Sequence, residues 1–162
     1  MPDINWGIIG CGDVTEVKSG PAFNKVKGSK LVAVMRRDAA KAEDYAMRHQ
    51  VGKWYTDADR MMEEAGIDSV YVATPPVNHL AYTLNALNRG LNVYVEKPVA
   101  LNAAEARQIA DAVKQSKGRL SVAHYRRAVP MFLHIKKLLD EQTIGDIRTV
   151  QIRMWQSAKP RL

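Results

Sequence analysis

The sequence predicts a doubly wound α/β domain built on a parallel sheet, and three observations predict it. Six short apolar runs of strand length alternate with helical patterns between Trp6 and Ala123, as expected of βα units whose sheet is covered on both faces. The first run, Trp6-Gly-Ile-Ile9, passes through the turn Gly10-Cys-Gly12 straight into a helical pattern. The right-handed crossover rule then leaves strand order 3-2-1-4-5-6 as the simplest arrangement.

Each element has its own signal. Lys30-Leu-Val-Ala-Val-Met35 is the second strand, and Asp38 is placed to cap a helix with Ala42, Tyr45 and Ala46 on its inner face. Lys53-Trp-Tyr55 is a short third strand, Asp57 opens a helix toward Met62, and Gly66 ends it before the fourth strand, Asp68 to Ala73. Pro75 and Pro76 suit the first turn of the next helix, along which Leu80, Leu84, Leu87 and Leu91 recur until Gly90 closes it. Asn92-Val-Tyr-Val95 is strand five. Asn102 and Glu105 have the spacing of a capping box, Ala106, Ile109, Ala110 and Val113 line one helical face up to Gly118, and Leu120-Ser-Val-Ala123 is strand six.

The tail changes rhythm. A helix is expected from Met131 to Leu139, with Ile135, Leu138 and Leu139 on one face, followed by Ile144-Gly-Asp146. Ile147 to Met154 then alternates apolar and charged residues, which predicts a half-exposed strand of a second, antiparallel sheet. The expected organisation is therefore a first domain over residues 1–124, with residues 125–162 holding a linking helix and the first strand of a truncated second domain.

Composition bounds the function. An apolar content of 46% with 25% charged residues describes a globular chain, and no apolar run is long enough to span a membrane. No basic region followed by an apolar segment precedes the first strand, so a cytoplasmic location is expected. The net charge of +7 is spread through every helix instead of being clustered with aromatics, which points to an anionic cofactor or an acidic remainder of the chain and away from nucleic acid. The lone cysteine, Cys11, sits in the glycine turn and is read as packing. His49, His124 and His134 show no metal-ligand spacing, so no metal is expected.

In such a sheet a ligand lies beyond the carboxyl ends of the strands, between strands one and four. Three loops meet there: Gly10 to Thr15, Thr74 to His79, and Glu96 to Pro98. Gly10 supplies the tight turn, Gly12 lets bare backbone approach a pyrophosphate, and the helix start at Asp13 and Val14 faces that anion. Thr15 occupies the place of the third fingerprint glycine, and is expected to push the first helix slightly off the strand while its hydroxyl bonds backbone. At the end of strand two, Arg36 and Arg37 stand where an NAD-binding chain carries an acid, and Asp38 is set further on as a cap. Two guanidiniums without an immediate acid suit a 2'-phosphate, so NADP is the expected cofactor, with NAD possible.

Gly10-Cys-Gly12, Ala73-Thr-Pro-Pro-Val-Asn-His79, Glu96-Lys-Pro98, the pair Tyr125-Arg126 and Ile144-Gly-Asp-Ile147 resemble, in order and spacing, the glucose-fructose oxidoreductase and inositol dehydrogenase (Gfo/Idh/MocA) family. The resemblance implies a Rossmann domain followed by an α/β substrate domain. It also implies hydride transfer between a nicotinamide cofactor and a sugar, polyol or related carbonyl. It assigns Lys97 to the substrate hydroxyl, where an ammonium stabilises a developing alkoxide or takes part in proton transfer. Thr74, Pro75, His79, Glu96 and Lys97 join Gly10, Gly12, Asp13, Val14, Arg36 and Arg37 as expected cofactor contacts. Glu96 is read as bonding the cofactor ribose or holding Lys97, and Pro98 as a candidate cis residue. A parent that forms homo-oligomers through the second domain is expected. The competing reading is a dinucleotide-binding redox sensor or regulatory module without chemistry. A methyltransferase is disfavoured by Arg36, because its nucleoside ribose calls for an acid at that point.

Overall fold

The computed structural model describes residues 3–155, and backbone contacts divide the chain into two units, Met1–His124 and Tyr125–Leu162. The first unit is a six-stranded parallel sheet of order β3-β2-β1-β4-β5-β6. Its strands are β1 (Ile4–Ile9), β2 (Ser29–Met35), β3 (Lys53–Tyr55), β4 (Ser69–Val72), β5 (Asn92–Val95) and β6 (Leu120–Val122). The helices are α1 (Gly20–Phe23), entered through a π-helical turn over Thr15–Ser19, then α2 (Ala39–Arg48), α3 (Ala58–Glu64), α4 (His79–Asn88) and α5 (Ala103–Gln115). The expected strand order is the observed one.

The alternation of side chains along each strand sorts the core into two layers. Ile9, Ala33, Met35, Val70, Val72, Val93 and Val95 face α3, α4 and α5. Ile8, Leu31, Val34 and Tyr71 face the other way, under Tyr45 and Ala46 of α2 and beside Phe23 of α1. Buried on both faces, the central strands read as continuous apolar runs, which is why sequence alone located them. Asp38, Asp57 and Asn102 each accept the backbone N–H three residues on, as expected of helix caps. Glu105 reaches back to the N–H of Leu101, completing the box one residue earlier than the usual pairing.

Three expectations are corrected. Residues Pro76–Asn78 form a separate 3₁₀ turn, and α4 starts at His79. The buried face of α4 is accordingly His79, Thr83, Ala86 and Leu87, and Leu80 and Leu84 are only half-buried. On α5, Ile109 is buried but Ala110 is exposed. In the second unit, α6 (Pro130–Asp140) follows a 3₁₀ turn over Tyr125–Ala128, yet Ile147 to Trp155 form no strand. An alternating segment becomes a strand only when a neighbour takes up its backbone groups, and no other strand lies in this unit among the described residues. No helix among the described residues is long and apolar enough to cross a membrane.

Candidate functional site: a cleft at the switch point of the sheet

The carboxyl ends of the strands are held level by backbone bonds that continue past the sheet. Gly10 donates to Met35 (2.9 Å), Ala73 to Ile9 (2.9 Å), Glu96 to Val72 (2.9 Å) and Ala123 to Val95 (2.9 Å). The loops after β1, β2 and β4 therefore open at one height, and between them lies a cleft of about 250 Å³. Its lining includes Gly10, Gly12, Arg36, Arg37, Thr74 and Pro75, all expected from sequence, and contains no acidic residue. Met35 at the end of β2 and Ala73 just after β4 line it too, and Cys11, Asn78 and Tyr82 complete it without having been expected. Asn78 ends the 3₁₀ turn and stands at the N-cap position of α4, and Tyr82 follows four residues on, a spacing at which two side chains meet on one face of a helical segment.

Gly10 adopts φ +92°, and a Cβ there would lie 2.7 Å from Cγ2 and 3.0 Å from the backbone nitrogen of Thr74. Backbone conformation and the approach of the β4 loop both demand glycine. A Cβ on Gly12 would meet nothing within 4 Å, so its bare face opens to space a ligand can enter. Asp13 and Val14 follow in helical conformation and are exposed. Thr15 is fully buried, and its hydroxyl bonds the Gly12 carbonyl at 2.7 Å. The bulk that a third glycine would avoid is taken up by widening the helix into a π turn, in which Gly20 donates to the Thr15 carbonyl. The Tyr45 hydroxyl donates to the same oxygen at 2.9 Å.

The two arginines are not equivalent. Arg36 Nη1 donates to the Cys11 carbonyl at 3.1 Å, and the Arg36 backbone N–H donates to Tyr55, so this side chain braces the glycine turn. Arg37 is exposed at the cleft. Asp38 is engaged at the start of α2 by the Lys41 N–H, which, with the Lys41 ammonium, holds its carboxyl below the usual range. Burial pushes the Cys11 thiol up to about 11, away from the thiolate that nucleophilic chemistry requires.

His79, expected beside the cofactor, does not line the cleft. It is fully buried, with Nδ1 2.8 Å from the Pro98 carbonyl and Nε2 2.8 Å from the Thr74 carbonyl. Glu96 accepts the Tyr71 hydroxyl at Oε1 (2.6 Å) and the Lys97 backbone N–H at Oε2 (3.1 Å). Sequence reasoning passed over Tyr71 because a tyrosine inside an apolar strand reads as core. Burial and the Glu96 carboxylate hold its phenol well above the usual range. Lys97 follows β5 in an exposed turn, and the Lys97–Pro98 peptide bond is cis. Neither Glu96 nor Lys97 lines the cleft itself.

A parallel sheet with a glycine turn and an open helix start at its switch point defines a dinucleotide-binding α/β domain. Residues 4–124 match the family described as an oxidoreductase family with an NAD-binding Rossmann fold, and the chain belongs to that Gfo/Idh/MocA family. It is 52% identical over 159 residues to Oxidoreductase P35 of Formosa agariphila, covering 98% of this chain and 50% of that one. Among solved structures, myo-inositol 2-dehydrogenase from Lactobacillus plantarum superposes with a TM-score of 0.81 at 30% identity, covering 90% of this chain and 43% of that one. Scyllo-inositol dehydrogenase from Lactobacillus casei, solved with bound NAD(H) and scyllo-inositol, gives a TM-score of 0.82 at 27% identity, covering 89% and 43%. The chain thus spans about half the length of these relatives.

Proposed function

We propose that this chain is the cofactor-binding part of an NADP-preferring oxidoreductase that moves hydride to or from a CH–OH carbon of a sugar, polyol or related carbonyl compound. The observation that carries the reading is a cleft bounded by bare glycine backbone on one side and two arginines on the other, with no carboxylate in its lining. Backbone N–H groups at the helix start suit a pyrophosphate. Arg37, with the remaining donors of Arg36, suits a 2'-phosphate, and Asp38 is occupied as a helix cap. NADP supplies the hydride chemistry; the protein's share is to hold and orient it. Gly10, Gly12, Asp13, Val14, Thr74 and Pro75 are the proposed cofactor contacts.

Lys97 is the proposed catalytic group. It stands at the end of β5, one strand from the cleft, with its ammonium exposed and its peptide fixed by Glu96. A cation there stabilises the charge that develops on the substrate oxygen as hydride departs. Inositol dehydrogenases among the relatives favour a polyol as the hydride donor. The test is nicotinamide absorbance with a panel of polyols and sugars. In the active enzyme, Lys97→Ala should lower kcat by about a hundredfold or more while NADP affinity stays within a few-fold, because the interaction is made in the transition state. An unchanged kcat would put the chemistry elsewhere. Residues 125–162 are proposed to lead into the substrate domain, through which a parent would form homo-oligomers.

A further inference from the structure

We infer that His79 and Tyr71 are positioning residues that grip the Glu96–Pro98 turn from two sides and so set the place of Lys97, an inference that rests on the reading of Lys97 above. Two observations carry it. The His79 ring spans from the Thr74 carbonyl, on a residue that lines the cleft, to the Pro98 carbonyl, immediately after Lys97. Tyr71, fully buried in β4, directs its hydroxyl onto one oxygen of Glu96, and the other oxygen takes the Lys97 N–H. The backbone thus has a contact just before Lys97 from Glu96 and just after it from His79, while Lys97 itself is exposed.

Both grips come from the β4–α4 segment, the same segment that supplies Thr74, Pro75 and Asn78 to the cleft. The loop that meets the cofactor is therefore tied to the turn that presents the lysine. Imidazole suits this tie because its two nitrogens lie on opposite edges of a rigid ring and reach carbonyls on two loops. A neutral ring donates to one of them at a time and an imidazolium to both. A phenol against a carboxylate makes a short charge-assisted bond that stops the carboxylate rotating. Such restraint matters because a displacement of roughly 1 Å at a reacting group costs on the order of a hundredfold in rate.

The test compares wild type, His79→Asn and Tyr71→Phe in the whole 162-residue chain. Acylation of Lys97 by an amine-selective reagent is followed by peptide mass spectrometry with and without NADPH, beside NADPH titration and thermal melting. Bound NADPH should slow Lys97 acylation about tenfold in wild type, and both variants should lose most of that protection while NADPH affinity stays within about threefold. A merely structural role predicts that protection and affinity fall together, and that result would overturn the inference. So would variants protected as well as wild type. If wild type fails to bind NADPH, or binds it without protecting Lys97, the reading of Lys97 falls and this inference with it. Should His79→Asn not fold, Tyr71→Phe, which removes a single hydroxyl, decides alone.

Discussion

Gly10 shows how one residue position fixes the site. Its positive φ and the 2.7 Å approach of Thr74 to the position of a Cβ leave no side chain a place. Gly10→Ala should destabilise the chain by about 1–3 kcal/mol and weaken cofactor binding, as read by chemical denaturation and titration; a neutral substitution would contradict the packing described. Cys11, beside it, tests burial directly. With its thiol pushed up to about 11, alkylation at pH 8 should be slow in the folded chain and fast once unfolded, because the thiolate is the reactive form. Rapid alkylation of the folded chain would mean that the glycine turn opens. The glycine turn and the place of Arg36 and Arg37 at the cleft were legible in sequence because each carries its reason in its type, but the Arg36 brace on the Cys11 carbonyl was not. The roles of Tyr71 and His79 were not, since both depend on what faces them across loops far apart in the chain.

At the scale of elements, the junction of the π turn with α2 is the feature that most needs explanation. Arg48 holds Glu16 with two nitrogens at 2.8 Å each, and His49 reaches the same carboxylate at 2.9 Å. The Arg48 bonds lead in lowering the Glu16 carboxyl to about 2 from 4.5. A carboxylate with a depressed folded value contributes stability above its unfolded value and loses it as pH falls. The melting-temperature gap between wild type and Glu16→Gln should therefore be full above 4.5 and close as pH falls toward 2; a gap independent of pH would contradict the pairing. Gly20→Ala would place a methyl 2.2 Å from the Tyr45 hydroxyl and 2.3 Å from the Thr15 carbonyl. It should cost about 1–3 kcal/mol by overpacking, measured by denaturation. The strands and capped helices were legible because burial on both faces and cap chemistry are written locally. The start of α4 was not, because Pro75 and Pro76 fit the first turn of either a 3₁₀ or an α helix. The alternating run from Ile147 to Met154 forms no strand here, because pattern supplies a strand's faces but not its neighbour.

At the largest scale, one sheet edge of the first unit collects the loops proposed to hold the cofactor together with Lys97. Parallel register brings Ile9, Val72 and Val95 level, so the glycine turn, the Thr74–His79 loop and the Lys97 turn open at the same height, with Arg36 and Arg37 on the far side of β1. That convergence follows from strand order alone, which is why the cleft was legible before its geometry. The proposed preference for NADP over NAD rests on finer features: the absence of an acid from the cleft lining and the presence of Arg37 in it. The central claim is tested most directly by calorimetric titration of the 162-residue chain with NADPH and NADH under identical salt. Charge-assisted bonds to a 2'-phosphate should contribute about 1.5–3 kcal/mol, so NADPH should bind roughly tenfold to a hundredfold more tightly. Equal affinities, or tighter binding of NADH, would contradict it.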